Sequence, residues 1–149
     1  MTGSADVIDD VLEIGPGDDV WQVRRERPEV LAHLQGAYDS FFGPTSTTNG
    51  LSRSERIAAA VAICRAAEAN ALADYYESLT ADDHDPVVRE RVVSWAALVA
   101  RDPQSSTASD VAALRDAGLG DPEIITLAQL IGFVSFQLRV VIGLEMMEI

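Results

Sequence analysis

Apolar side chains recur at steps of three and four along most of the chain, and no alternation of period two lasts more than a few residues. Steps of that size place side chains on one helical face, so the pattern predicts an all-α fold. Asp6 to Glu13 reads as a short helix ended by Gly15-Pro16-Gly17, and Asp18 or Asp19 caps a second one running to about Arg27. Pro28 opens a third from the first helical position, where its missing N–H is no loss, and Val30, Leu31, Leu34, Tyr38 and Phe41 follow at helical spacing. Gly43 to Gly50 (GPTSTTNG) is a turn-rich loop.

Ser52-Arg53-Ser54-Glu55 has the form of a capping box, in which the Ser52 hydroxyl and the Glu55 carboxylate satisfy each other's backbone N–H groups. The pattern extends the helix it opens to about Leu79. Ile57, Val61, Cys64, Glu68, Leu72 and Tyr75 form one stripe, and Ala59, Ile63, Ala66 and Ala67 make the opposite side apolar as well. A helix apolar nearly all round is buried on most sides, which makes this one the expected centre of the fold. Asp85-Pro86 and Asp121-Pro122 both read as an N-cap followed by a proline at the first helical position. The first opens a helix to about Arg101, with Val88, Val92, Trp95 and Leu98 on one face. A short helix then ends at Gly118, and the second Asp-Pro opens a long helix to about Met147. The sum is a helical bundle of about seven helices, two of them long. It forms one domain over 1–149, with N-terminal helices in 1–50 and the core in 51–149.

Charge narrows the function classes. The formal net charge is −13, and all 11 basic residues are arginines scattered along the chain, so no basic face is available for nucleic acid. The same acidity disfavours anionic membranes. Ile124 to Leu144 is apolar enough to suggest a membrane span, but it carries Thr126, Gln129, Ser135, Gln137 and Arg139, and a mid-span arginine is costly in lipid. A buried core or interface helix fits better. The opening MTGSADVIDDVLEI has neither a basic nor an apolar region of the kind a signal peptide needs, which points to the cytoplasm.

Candidate chemistry is sparse. Cys64 is the only cysteine, so no internal disulfide can form, and its place on the apolar stripe favours an inert thiol over a reactive one. Glu68 falls in the middle of that stripe. A carboxylate there must be paired, with Arg139 or Arg65 as candidates, or act as a general base in a small-molecule pocket, unless the face is exposed. Arg139, inside an apolar helix, calls for a buried carboxylate partner within the subunit or across an interface. His33 and His84 are far apart, and the acidic loop Asp82-Asp83-His84-Asp85 reads as solvated surface rather than a metal site. No phosphate-binding, dinucleotide, zinc-protease or serine-hydrolase motif occurs, and no cofactor is expected.

Two segments carry a family resemblance. Ala113 to Leu144 (ALRDAGLGDPEIITLAQLIGFVSFQLRVVIGL) and LSRSERIAAAVAICRAAEANALADYY resemble the carboxymuconolactone decarboxylase / alkylhydroperoxidase D (AhpD-like) superfamily. The N-terminal DVIDDVLEIGPGDDVWQVRRERPEV resembles its Cys-less subgroup. The resemblance implies an AhpD-like helical bundle. In the family's peroxidases the central helix reads Glu, eleven residues, then Cys-x-x-Cys-x-x-x-His. Counted from Glu55, the thiol positions fall on Ala67 and Asn70 and the histidine on Asp74. Glu55 would be the retained proton-relay glutamate, although the capping box accounts for it without chemistry. Neither Ala nor Asn can be a redox nucleophile.

Three functions follow from the resemblance. One is a non-redox subunit, homo-oligomeric or partnered with a Cys-bearing AhpD-like relative; two nearly all-apolar helices in a small domain favour self-association. Another is a decarboxylase-like enzyme for a small anionic substrate, with Glu68, Asp74 and Arg139 as its assemblable set. The last is one-cysteine hydroperoxide reduction through Cys64, which requires an exposed thiol of low pKa.

Overall fold

The computed structural model describes residues 6–44, 46, 50–79 and 85–147. These form eight α-helices and no strand: α1 (Val7–Leu12), α2 (Asp19–Arg24), α3 (Pro28–Phe42), α4 (Arg53–Ala66), α5 (Asn70–Ser78), α6 (Pro86–Arg101), α7 (Ala108–Asp116) and α8 (Asp121–Glu145). The all-α expectation holds, and most helix starts fall where the caps place them. Asp6 accepts from the Ile8 and Asp9 N–H groups, and Asp85 from those of Val87 and Val88. The Ser52–Glu55 box is formed on both sides, at 3.1 and 2.9 Å. A second box, Thr107 with Asp110, opens α7. Asp121 is displaced from its expected role: Gly120 is the N-cap of α8, and the Asp121 carboxylate instead pairs with Arg115 at 2.9 Å. The acidic loop around His84 lies outside the described residues.

Helix α4 is the centre of the bundle and packs against α3, α5, α6 and α8. Its Ala58, Ala59 and Ala60 are buried, and such small side chains let neighbouring backbones approach closely. Leu127, Leu130, Val134, Leu138 and Val141 recur along the core side of α8. By length and composition α8 could span a membrane, and half of its apolar window is buried inside the protein. Tyr76 of α5 is fully buried and donates its hydroxyl to the Gln137 side chain of α8. At the other end, the buried Asp9 carboxylate of α1 pairs with Arg24 and Arg25, which fastens α2 to α1.

The expected helix from Ser52 to Leu79 is two helices, so the described residues hold one long helix where two were expected, and eight helices against the expected seven or so. The break is a Schellman turn. The Glu68 N–H bonds to the Arg65 carbonyl at 3.1 Å, and the Ala69 N–H reaches back to that of Cys64 at 2.9 Å. This motif needs a left-handed residue, usually glycine, and Glu68 takes that place with φ 58°. The same geometry ends α7, where Gly118 holds the left-handed position at φ 105°. A side chain in this conformation costs roughly 1 kcal/mol. Glu68→Gly should therefore stabilise the protein by about 0.5–1 kcal/mol, a rise in Tm of about 1–4 °C in a thermal melt. A lower Tm would mean that the glutamate side chain contributes more than its backbone strain costs.

Candidate functional site

The lone thiol is sealed. Cys64 is fully buried in the last turn of α4, and burial pushes its pKa up to about 12, outweighing the opposing Arg65 charge. Nucleophilic thiol chemistry needs a thiolate and access, and Cys64 has neither.

The family positions fall on the turn that follows. Ala67 is the C-cap of α4, and Asn70 is the first residue of α5. Arg65 gathers the polar ones: its guanidinium donates to Asn70 Oδ1 at 3.1 Å, Asp74 at 2.6 Å and Glu77 at 3.0 Å. Asp74 and Asn70 are exposed, so this is a surface network rather than the lining of a buried pocket.

Glu68 departs from its expected place. The Schellman turn rotates it off the Cys64 stripe, and it is exposed, in no ion pair with Arg65 or Arg139. Arg139 is exposed as well and has no carboxylate partner among the described residues, so the buried pair expected within the subunit is not formed. Glu55 is buried and committed to the Ser52 N–H. It lies about 18 Å along α4 from Ala67, given a rise of 1.5 Å per residue. No hydrogen bond or ion pair joins any two of Glu55, Glu68, Asp74 and Arg139 among the described residues. Among those residues, no three His, Cys, Asp or Glu side chains could share a metal ion.

What the fold does assemble is a cleft of about 230 Å³ where α4, α6 and α8 meet. Ile63, Ala66 and Ala67 form one wall, Ala100 and Arg101 a second, and Ser135, Leu138 and Arg139 the third. The Ser135 hydroxyl is buried there without a hydrogen-bond partner. Arg139 and Ala67 were legible as candidates from the sequence. Arg101 was not, because a basic residue in the last turn of a helix already has a use there, favourable interaction with the helix dipole.

Comparison with known proteins bears on the fold alone. No protein-family model matches the chain, and no curated protein matches it. Among solved structures, an uncharacterized peroxidase-related protein from Silicibacter sp. TM1040 is similar, with a TM-score of 0.57 and 22% sequence identity. The match covers 77% of this chain and 68% of that one. At that identity the likeness establishes an all-helical bundle of the kind found in a peroxidase-related protein.

Proposed function

We propose that this chain is a non-redox protein on an AhpD-like fold, a Cys-less relative of the alkylhydroperoxidases that works as a self-associating subunit or as the partner of a thiol-bearing relative. The observation that carries the reading is the state of Cys64: one thiol, fully buried, with its pKa raised to about 12 and no second cysteine to resolve it. Self-association is supported by the outer face of α8. Ile125, Gly132, Phe136 and Gly143 lie within about 40° of one another around the helix at 100° per residue. Ile125 is 58% exposed and Phe136 45%. Nothing meets either glycine, so a second backbone has room to approach this stripe.

Decarboxylase-like chemistry finds less support, since Glu68 and Asp74 are not among the residues lining the cleft that holds Arg139. The test is hydroperoxide consumption with a dithiol reductant, run on the protein and on Cys64→Ser. Neither should turn over peroxide, and iodoacetamide should label Cys64 only after denaturation. Sedimentation should give a species heavier than one chain, reduced to the monomer by Phe136→Glu. Peroxide turnover that disappears in Cys64→Ser would overturn the non-redox reading, and a monomer that binds no thiol-bearing relative would overturn the subunit reading.

A further inference from the structure

We propose that the cleft between α4, α6 and α8 is a binding site for a small monocarboxylate with a short apolar body. The inference stands on the cleft itself and holds whether or not the chain is a subunit of an assembly.

The first observation is Ser135. The residue lines the cleft and is 8% exposed, and its hydroxyl oxygen is enclosed without a hydrogen-bond partner. Leaving a buried hydroxyl unpaired costs on the order of 1–3 kcal/mol, and such groups are rare enough in folded proteins to need a reason. A ligand seated in the cleft supplies one, since a turn of the Ser135 side chain about its Cα–Cβ bond would bring the now enclosed hydroxyl to an acceptor there.

The second observation is the charge beside it. Arg139 follows Ser135 by one helical turn on α8, which sets both on the same face, and Arg101 borders the cleft from the end of α6. Neither guanidinium has an ion-pair partner among the described residues, although the chain carries 24 acidic residues to 11 arginines. Elsewhere Arg24, Arg25, Arg27, Arg65 and Arg115 are engaged by Asp or Glu, while Arg89 and Arg91, exposed on α6, share that lack of an ion pair but do not line this cleft. Two cations without ion pairs and a serine with an unpaired hydroxyl line one recess and form a donor set, with no carboxylate among the lining residues to compete. Guanidinium groups suit planar carboxylates, to which they donate two parallel hydrogen bonds.

The walls and the overall charge select the kind of anion. The rest of the lining is alanine, isoleucine and leucine, which favours an apolar body behind the carboxylate. The volume, about 230 Å³, is below the ~300 Å³ at which pockets for drug-sized molecules begin, so the ligand is small. A net charge of −13 repels multiply charged anions more than a single carboxylate. With no thiol, imidazole or carboxylate among the lining residues, the site is assigned to binding rather than to turnover.

Titration calorimetry at low salt with hexanoate, benzoate and inorganic phosphate tests this on the full chain. Hexanoate or benzoate should bind, and phosphate should bind at least tenfold more weakly. Arg139→Gln and Arg101→Gln should each weaken binding by about tenfold or more, the loss of one charge-assisted pair. Ser135→Ala should weaken it several-fold. Arg89→Gln removes the same charge from an exposed arginine on α6 that does not line the cleft, and should leave affinity unchanged. Both arginines at the cleft are exposed, so their variants should retain the parent's melting curve. Failure of both carboxylates to bind at millimolar concentration would overturn the assignment. So would equal or tighter binding of phosphate, or an Arg89→Gln loss as large as that of Arg139→Gln.

Discussion

Tyr76→Ala should destabilise the protein by about 3–5 kcal/mol, the range for removing a fully buried aromatic side chain. Tyr76 is completely enclosed. Its ring centroid lies 4.8 Å from that of Phe42, and it meets the neighbouring Tyr75 edge-on. The substitution also strands Gln137, which is 3% exposed and accepts the Tyr76 hydroxyl. Burial holds that phenol protonated well above its ordinary range, so the donor is intact at any pH used for the measurement. Tyr76→Phe separates the two effects: the ring stays, the donor goes, and the expected cost is about 1–3 kcal/mol. Domains of this size have only about 5–15 kcal/mol in all, so the alanine variant should be recovered poorly. The phenylalanine variant carries the test in that event. Urea unfolding of Tyr76→Phe that matches the parent would show that the α5–α8 hydrogen bond contributes nothing net.

The second large effect belongs to the N-terminal clamp. Asp9 has a 3% exposed side chain and pairs with Arg24, itself 10% exposed, and with Arg25. Removing one member of a buried pair leaves the other charged and without its partner, at about 3–5 kcal/mol. Asp9→Ala should fall at the low end, about 3 kcal/mol, because Asp6 still holds Arg24 at 3.1 Å. Moderate salt should hardly alter that cost, since buried pairs are screened far less than exposed ones. Hydrogen exchange should show α1 and α2 losing protection ahead of α4 and α8. Equal protection throughout, with unchanged global stability, would mean that apolar burial of Val7 and Ile8 alone holds α1 in place.

Much of this fold is legible in local chemistry. Capping side chains at Ser52 and Asp85, the proline at 28 and the glycine at 118 each act through neighbours a few residues away, so reading them needs no knowledge of the rest of the chain. The break at Glu68 was hidden for the opposite reason. Its turn is closed by backbone hydrogen bonds, and the residue in the left-handed position is a glutamate in place of the glycine that normally marks such a turn. Carrying the helix through that point is how an exposed glutamate came to be placed in the core stripe, although Leu72 and Tyr75 beyond the break do pack in or against the core. The cleft was half legible. Ser135 and Arg139 announce a shared face by their spacing, whereas Arg101 reaches them only through the packing of α6 on α8.

The Schellman turn makes positions 67 and 70, which the sequence resemblance aligns with thiols, unequal in a way their spacing does not reveal. Position 67 closes α4 at the negative end of its dipole, while position 70 opens α5 at the positive end, 3.1 Å from the Arg65 guanidinium. A cysteine grafted at 70 would meet a field that favours thiolate, and one grafted at 67 a field that opposes it. The turn thus has a polarity that would suit a thiolate at position 70 and a protonated thiol at position 67.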